Sequence, residues 1–349
     1  VFAILQLMPF LGHSQEEETH LKNALNRYQN TENPREGIDE LLIYRDIAKK
    51  VNDSLKGHYY LNLGIAYGQL NNADSSFYYL NKSEKIANQI PSTFLLAMVN
   101  NTRGLVYMGK ADYESSLSAY QEVMRLAEGK NDDKLNDVLS KTYGNLGGVY
   151  YQLGQIDKAL ETTEKCLKLS ERIKDTTDIA LNHLRLAMVY NDLDQLDNGI
   201  HHLNKARTFF KDLNNPTMLV YAESNLGKVY KKQQKLDSAF AHYQEAHNYA
   251  KTLGEQEEYI TTLLSMSGVK LDQSKLNDSQ GFALKALAVA KKNGFSNSEL
   301  KTYDLLYKIA LKKERINEAL NYRNNFIKLS DSLNNIEVKE RVAELETQY

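Results

Sequence analysis

The chain has 349 residues, and its 43 Lys plus Arg nearly cancel its 45 Asp plus Glu. No basic face follows from that balance, which excludes nucleic acid as an electrostatically held partner. A single cysteine, Cys166, excludes an intrachain disulfide and is compatible with a helical protein outside the cytoplasm.

The first segment, Val1 to Leu11, reads VFAILQLMPFL and leads into Gly12-His13-Ser14-Gln15 and the acidic run from Glu16 to Glu18. A short apolar stretch ending in small residues has the form of a secretory signal, with cleavage expected after Ser14. No basic n-region precedes it, so residues 1–14 are read as a signal peptide truncated at its front, and the protein as exported to the periplasm or cell envelope. No later segment is apolar enough to span a membrane.

From there one pattern recurs. Gly64, Gly104, Gly147, Ala187, Gly227 and Ser267 stand 40, 43, 40, 40 and 40 residues apart. A period of that size marks an array of helical hairpins. Three residues after the small anchor comes an aromatic: Tyr67, Tyr107, Tyr150, Tyr190 and Tyr230. Small residues let two helices approach, and an aromatic one turn on fills the space left beside them. Ten past the anchor stand Asp74, Glu114, Asp157, Asp197, Asp237 and Asn277, where a second helix begins. There an oxygen caps free N–H groups and a negative charge complements the helix dipole. Twelve past the anchor is a second small residue: Ser76, Ser116, Ala159, Gly199, Ala239 and Ser279.

The frame extends both ways. Ala24 lies 40 before Gly64, with a second helix expected over 38–51, and Tyr307 lies 40 after Ser267. Eight hairpins result, the outer two degenerate as capping units are. The three additional residues between Gly104 and Gly147 fall in the polar turn Gly129-Lys130-Asn131-Asp132-Asp133. Cys166 holds the slot that Ala206, Ala246 and Ala286 hold in later repeats, so it is read as a small buried residue rather than a nucleophile.

Leu146-Gly147-x-x-Tyr150-x-x-x-Gly154-x-x-x-x-Ala159 closely resembles the tetratricopeptide repeat (TPR), in a 40-residue form rather than the 34-residue one. The resemblance covers residues 15–330 and implies an all-α, right-handed superhelical solenoid of about eight hairpins. It also implies a groove lined by the first helix of each hairpin. Two residues before the anchors stand Asn62, Thr102, Asn145, Arg185, Asn225 and Ser265; an Asn there can bond a peptide backbone through both amide groups. With Lys141 one turn before Asn145, and Lys228 three residues after Asn225, the expected groove is Asn62, Lys141, Asn145, Arg185, Asn225 and Lys228. It suits an acidic or C-terminal peptide segment.

Catalytic signals are weak. His201-His202 and His242 with His247 do not put two rings on one helical face for a metal. Gly144-Asn145-Leu146-Gly147-Gly148 sits inside a helix in strict register, where a phosphate loop would follow a strand. No enzyme, cofactor or metal is expected in this chain.

Residues 331–349 begin a charged C-terminal helix. Val338, Val342, Leu345 and Tyr349 are spaced four, three and four, the start of a coiled-coil seam that suits pairing with a copy of itself. This ending is similar to the juxtamembrane segment of TPR sensors common in Bacteroidetes. The similarity implies a membrane span followed by a histidine kinase or helix-turn-helix output domain. The function so implied is a non-catalytic, extracytoplasmic sensor region that binds protein or peptide. The alternative is a secreted or periplasmic scaffold without a signalling output.

Overall fold

The computed structural model describes residues 8–29 and 33–348, with side chains described for 16–28 and 33–335. Every regular element among them is a helix. The first hairpin joins α1 (Met8–Gln29) to α2 (Pro34–Ile43) and α3 (Arg45–Ala48). Then follow the pairs α4 (Asp53–Gln69) with α5 (Ala73–Gln89), α6 (Thr93–Gly109) with α7 (Tyr113–Ala127), and α8 (Asp133–Gln152) with α9 (Ile156–Ile173). Next come α10 (Thr176–Asp192) with α11 (Leu196–Asp212), α12 (Pro216–Lys232) with α13 (Leu236–Leu253), and α14 (Gln256–Asp272) with α15 (Leu276–Asn293). The last pair is α16 (Ser296–Lys312) and α17 (Ile316–Gln348). That is the all-α TPR-type array the period predicts. The expected signal peptide lies partly outside the described residues; those of it that are described, 8–14, continue α1 at its start.

Each hairpin closes on its small residues. Ser76 donates its hydroxyl to Gly64 O (2.6 Å) and Ser116 to Gly104 O (2.8 Å). In the seventh hairpin Ser279 donates to Ser267 O and Ser267 to Ser279 O, so two buried hydroxyls lock the crossing. Such a bond both satisfies a buried hydroxyl and fixes the approach of two backbones. The turn then reverses the chain through a residue in the left-handed region, seven past each anchor. Asn71, Ala111, Gly154, Asp194, Gln234, Ser274 and Glu314 hold that place, with φ between 57° and 69°.

The carboxylates ten past the anchor do not cap as expected. Asp74 and Glu114 sit inside the first turn, where they complement the dipole, but the capping oxygens belong two residues earlier. Asn72 accepts from Ser75 N and Asp112 from Ser115 N. In later hairpins Asp197 and Asp237 instead accept from Gln233 and Gln273 of the following repeat. The carboxylate that a single-hairpin view assigns to capping therefore bolts one repeat to the next.

Two further departures come at the ends. The helix expected over 38–51 is broken at Tyr44, whose N–H bonds Leu41 O in a tighter turn. The buried Tyr59 hydroxyl donates to the same carbonyl, and Tyr44 packs against the cluster around Leu41 and Ala48. At the other end no break separates hairpin from tail: α17 runs for 33 residues through Asn334-Asn335.

The chain divides into two compact units within α10, one ending at Asn182 and one beginning at His183. The core of each is a series of small clusters between adjacent helices, as in the N-terminal unit around Tyr120, Leu146 and Val149. The C-terminal unit has the equivalent at Leu203, Leu226 and Val229. Stability of such an array is a sum of neighbour terms rather than the property of one centre.

Candidate peptide groove

In the N-terminal unit the first helices α4, α6 and α8 line a cavity of about 480 Å³. Its apolar wall is Ile65, Phe94, Met98, Leu105 and Val138, and Leu105 is an exposed leucine. Polar groups on its margin include Gln69, Asn101, Lys110, Asp137 and Lys141. An apolar trough of that size with a few directional polar groups is the usual form of a binding site.

The polar margin is organised by Asn101. Its Oδ1 accepts from Thr142 Oγ1 (3.1 Å) and from Asn145 Nδ2 (3.2 Å), joining α6 to α8. One turn away, Lys141 Nζ lies 2.8 Å from Asp137 Oδ2 on its own helix, both partly exposed. The pair is nearly neutral as a unit and offers hydrogen bonds and a local dipole, while Lys110, also on the lining, adds positive charge.

The six residues expected from sequence therefore fare differently. Lys141 lines the cavity, and Asn145 adjoins it through Asn101. Asn62 is buried, and its Nδ2 donates to His58 O of its own helix (2.8 Å), so it is turned away from such a role. In the C-terminal unit Asn225 Nδ2 likewise bonds its own helix at Tyr221 O (2.8 Å). Arg185 is half-buried and partnered, and Lys228 is exposed. Sequence reasoning missed Asn101 and Leu105. Both flank positions it had singled out, Thr102 and Gly104, but neither position recurs with one residue type.

The same unit carries a larger, more open cleft of about 990 Å³ over α7, α8 and α9. The lengthened turn 128–131 lines it, with a rim that includes Arg125, Lys130, Lys168 and Arg172. Two of the basic residues on it are already paired, Arg125 with Glu122 and Lys165 with Glu161.

The buried polar groups belong to packing. Cys166 is fully buried: its Sγ donates to Ser140 O (3.0 Å), and Asn182 Nδ2 donates to the sulfur (2.9 Å). In the C-terminal unit His183 Nδ1 and His202 Nδ1 are 2.9 Å apart, and His202 stacks on Tyr190. Burial, helped by His201 and Lys205 and, for His183, by His202, pushes both imidazoles down to about 4. The next repeat replaces His183 by buried Glu223, which contacts His242 Nδ1 at 2.7 Å, and His242 stacks on Tyr230. Among the described residues no three His, Cys, Asp or Glu side chains converge as a metal site would need, and no helix is long and apolar enough to cross a membrane.

The tetratricopeptide repeat family model matches residues 95–175 and 176–252. No curated protein matches the sequence significantly. Among solved structures, apo RapI aligns with a TM-score of 0.70 at 15% identity, over 95% of this chain and 92% of its own. A signal transduction ATPase (STAND) protein with a tetratricopeptide repeat sensor, from Pyrococcus horikoshii, aligns at 0.71 and 17% identity. That match takes in 87% of this chain but 46% of the other protein. The apo quorum sensor NprR from B. thuringiensis aligns at 0.56 and 16% identity, over 90% of this chain and 99% of its own. At such identities the likeness shows the fold, an array of TPR-type hairpins, and function is argued from the site.

Proposed function

We propose that this chain is a non-catalytic peptide- or protein-binding module and that the α4–α6–α8 groove holds the ligand. The observation that carries the reading is the exposed apolar wall at Leu105, set beside the hydrogen-bonding margin of Asn101, Asp137 and Lys141. An extended segment would bury an apolar side chain against Leu105 and Met98 and bond its backbone to the margin. Proteins of similar fold are described as a quorum sensor and as carrying a repeat sensor, which supports a sensing role.

We further propose that the module is the exported sensor region of a membrane-anchored signalling protein, with α17 carrying the response outward through pairing with a copy of itself. The apolar start of the chain and the seam from Val338 support that reading. An alkaline phosphatase fusion to the chain tests export: activity that vanishes when residues 1–14 are deleted supports it, and inactivity of the intact fusion sinks it.

For the groove, a random peptide display library is selected on the purified chain. Enriched peptides should bind Leu105→Glu at least tenfold more weakly, while Lys228→Glu leaves binding unchanged. Peptides that bind Leu105→Glu as well as the parent place the site elsewhere.

A further inference from the structure

The 43-residue step in an otherwise 40-residue period opens a second site. Gly147 stands 14 residues past the first residue of α8, whereas the anchors of α4, α6, α10, α12 and α14 stand 11 past theirs. The three additional residues therefore extend α8 by nearly a turn at its start. Just before it, α7 has 15 residues, against 17 or 18 in α5, α9, α11, α13 and α15. A short α7 followed by a lengthened α8 leaves ground uncovered beside α9. The cleft of about 990 Å³ lies there.

Its floor is apolar. Met124, Leu139, Tyr143 and Leu169 line it and are all half-buried, so each keeps part of its side chain open to a ligand. Its banks are basic. Lys165, Lys168 and Arg172 follow one another at three and four residues, which puts them on one face of α9 over about 10 Å. Arg125 and Lys130 stand on the bank formed by α7 and the turn after it, and Glu128 is the one carboxylate on the described lining.

The local acids leave that charge only partly answered. Glu122 holds Arg125 at 2.6 Å and Glu161 holds Lys165 at 2.7 Å, both from outside the cleft. These are exposed pairs within one helix, worth little and readily exchanged for a ligand carboxylate. Arg172 shares a smaller hollow with Asp133, Asp137 and Asp175, which draw on its charge from another side. Lys130 Nζ bonds the neutral Thr93 Oγ1 at 3.0 Å. Lys130 and Lys168, one on each bank and both exposed, have no carboxylate partner among the described residues.

This arrangement is complementary to one kind of ligand. Carboxylates on both edges of an apolar side chain would meet the two banks, while that side chain rests on Leu139 and Leu169. A nucleic-acid strand would set only two or three phosphates along about 10 Å, too few to hold it at physiological salt.

We propose that the cleft between α7 and α9 is a second docking site, and that its occupant is an acidic, amphipathic peptide segment of a partner protein. The site goes beyond the α4–α6–α8 groove. The two meet α8 through different residues, and neither rests on the other.

A random peptide display library selected on the purified Leu105→Glu chain, whose groove is blocked, tests the proposal. Enriched peptides should be rich in Asp and Glu around an aliphatic or aromatic residue. Fluorescein-labelled synthetic copies, followed by anisotropy, should bind Lys130→Glu/Lys168→Glu in that background at least about tenfold more weakly. Raising NaCl from about 0.05 M to about 0.5 M should weaken binding to the parent cleft as well. Lys85→Glu/Lys211→Glu changes the net charge equally at exposed residues outside the lining, and should leave binding unchanged. Circular dichroism and Tm of both double variants should match the parent, because all four side chains are exposed.

Neutral or basic enriched peptides overturn the proposal, and so does a library that yields no binder. Acidic peptides that bind Lys130→Glu/Lys168→Glu as well as the parent, or lose as much to Lys85→Glu/Lys211→Glu, overturn it too. An oligothymidylate that displaces the peptides at physiological salt would assign the cleft to nucleic acid instead. With Leu105→Glu present throughout, none of these outcomes bears on the groove.

Discussion

The ring of Tyr120 lies so close over Gly104 that a Cβ on the glycine would stand 2.7 Å from the ring Cζ. Tyr120 is fully buried, so neither partner has room to give. Gly104→Ala should therefore cost about 1–3 kcal/mol of overpacking strain, measured as a lower urea midpoint at constant slope. Gly281 lies within α15 with open space around it, and Gly281→Ala there should add about 0.5–1 kcal/mol. Equal effects at the two positions would show that helix propensity, not close approach, explains the anchors.

The turns make a second, opposite prediction. Ala111 and Gly154 occupy the same left-handed place in their hairpins, at φ 57° and 69°. A Cβ there is crowded by the backbone, at a cost of roughly 1–2 kcal/mol before the entropy of glycine is counted. Ala111→Gly should raise stability by about 0.5 kcal/mol, and Gly154→Ala should lower it by about 1 kcal/mol. Thermal melts of the two variants read the sign directly.

The His183–His202 pair predicts how the C-terminal unit responds to acid. Both imidazoles are neutral at pH 7, with folded-state values near 4 against about 6.5 in an unfolded chain. Between those values the unfolded state binds more protons, so stability is complete above pH 6.5 and falls as the pH drops toward 4. His247 is lowered by burial in the same direction and adds to the slope. His183→Tyr/His202→Tyr, which copies Tyr60 and Tyr79 of the second hairpin, should flatten the dependence of Tm on pH between 6.5 and 4. An unchanged slope would assign acid sensitivity to other groups.

Glu223 is a buried carboxyl side chain of that unit. It contacts His242 at 2.7 Å and Arg207 at 3.7 Å, and almost none of it reaches solvent. Removing one side of a buried ionic cluster strands the other, so Glu223→Ala should cost about 3–5 kcal/mol. Chemical denaturation should show the loss; a change below about 1 kcal/mol would mean that Arg207 and His242 rehydrate freely.

The array was legible in the sequence because its signal is periodic. Gly64, Gly104, Gly147 and Gly227 each announce the same close crossing, and one cause repeated many times stands clear of local noise. The fate of Cys166 was legible for the same reason, since the alanines in its slot already describe a small buried site. What escaped were residues that act across repeats. Asp197 and Asp237 look like caps until the glutamine of the next hairpin is placed beside them. Asn101 has no counterpart in other repeats, so periodicity cannot find it. Asn62 and Asn225 were singled out by position, but side-chain amides are free to turn back to their own helix carbonyl, and both do.

The hydrogen-bonded burial of Cys166 also makes the protein its own stopwatch. As the sole thiol in the chain, it lies against Ser140 and Asn182, where no reagent enters while α8 and α9 stay packed. Modification by a thiol reagent must wait for that packing to part. The labelling rate, set against that of a free thiol, thus yields the free energy of one opening event in the N-terminal unit. A single unmodified cysteine thus reads the parting of α8, α9 and the start of α10, an event that spectroscopy sums with every other helix.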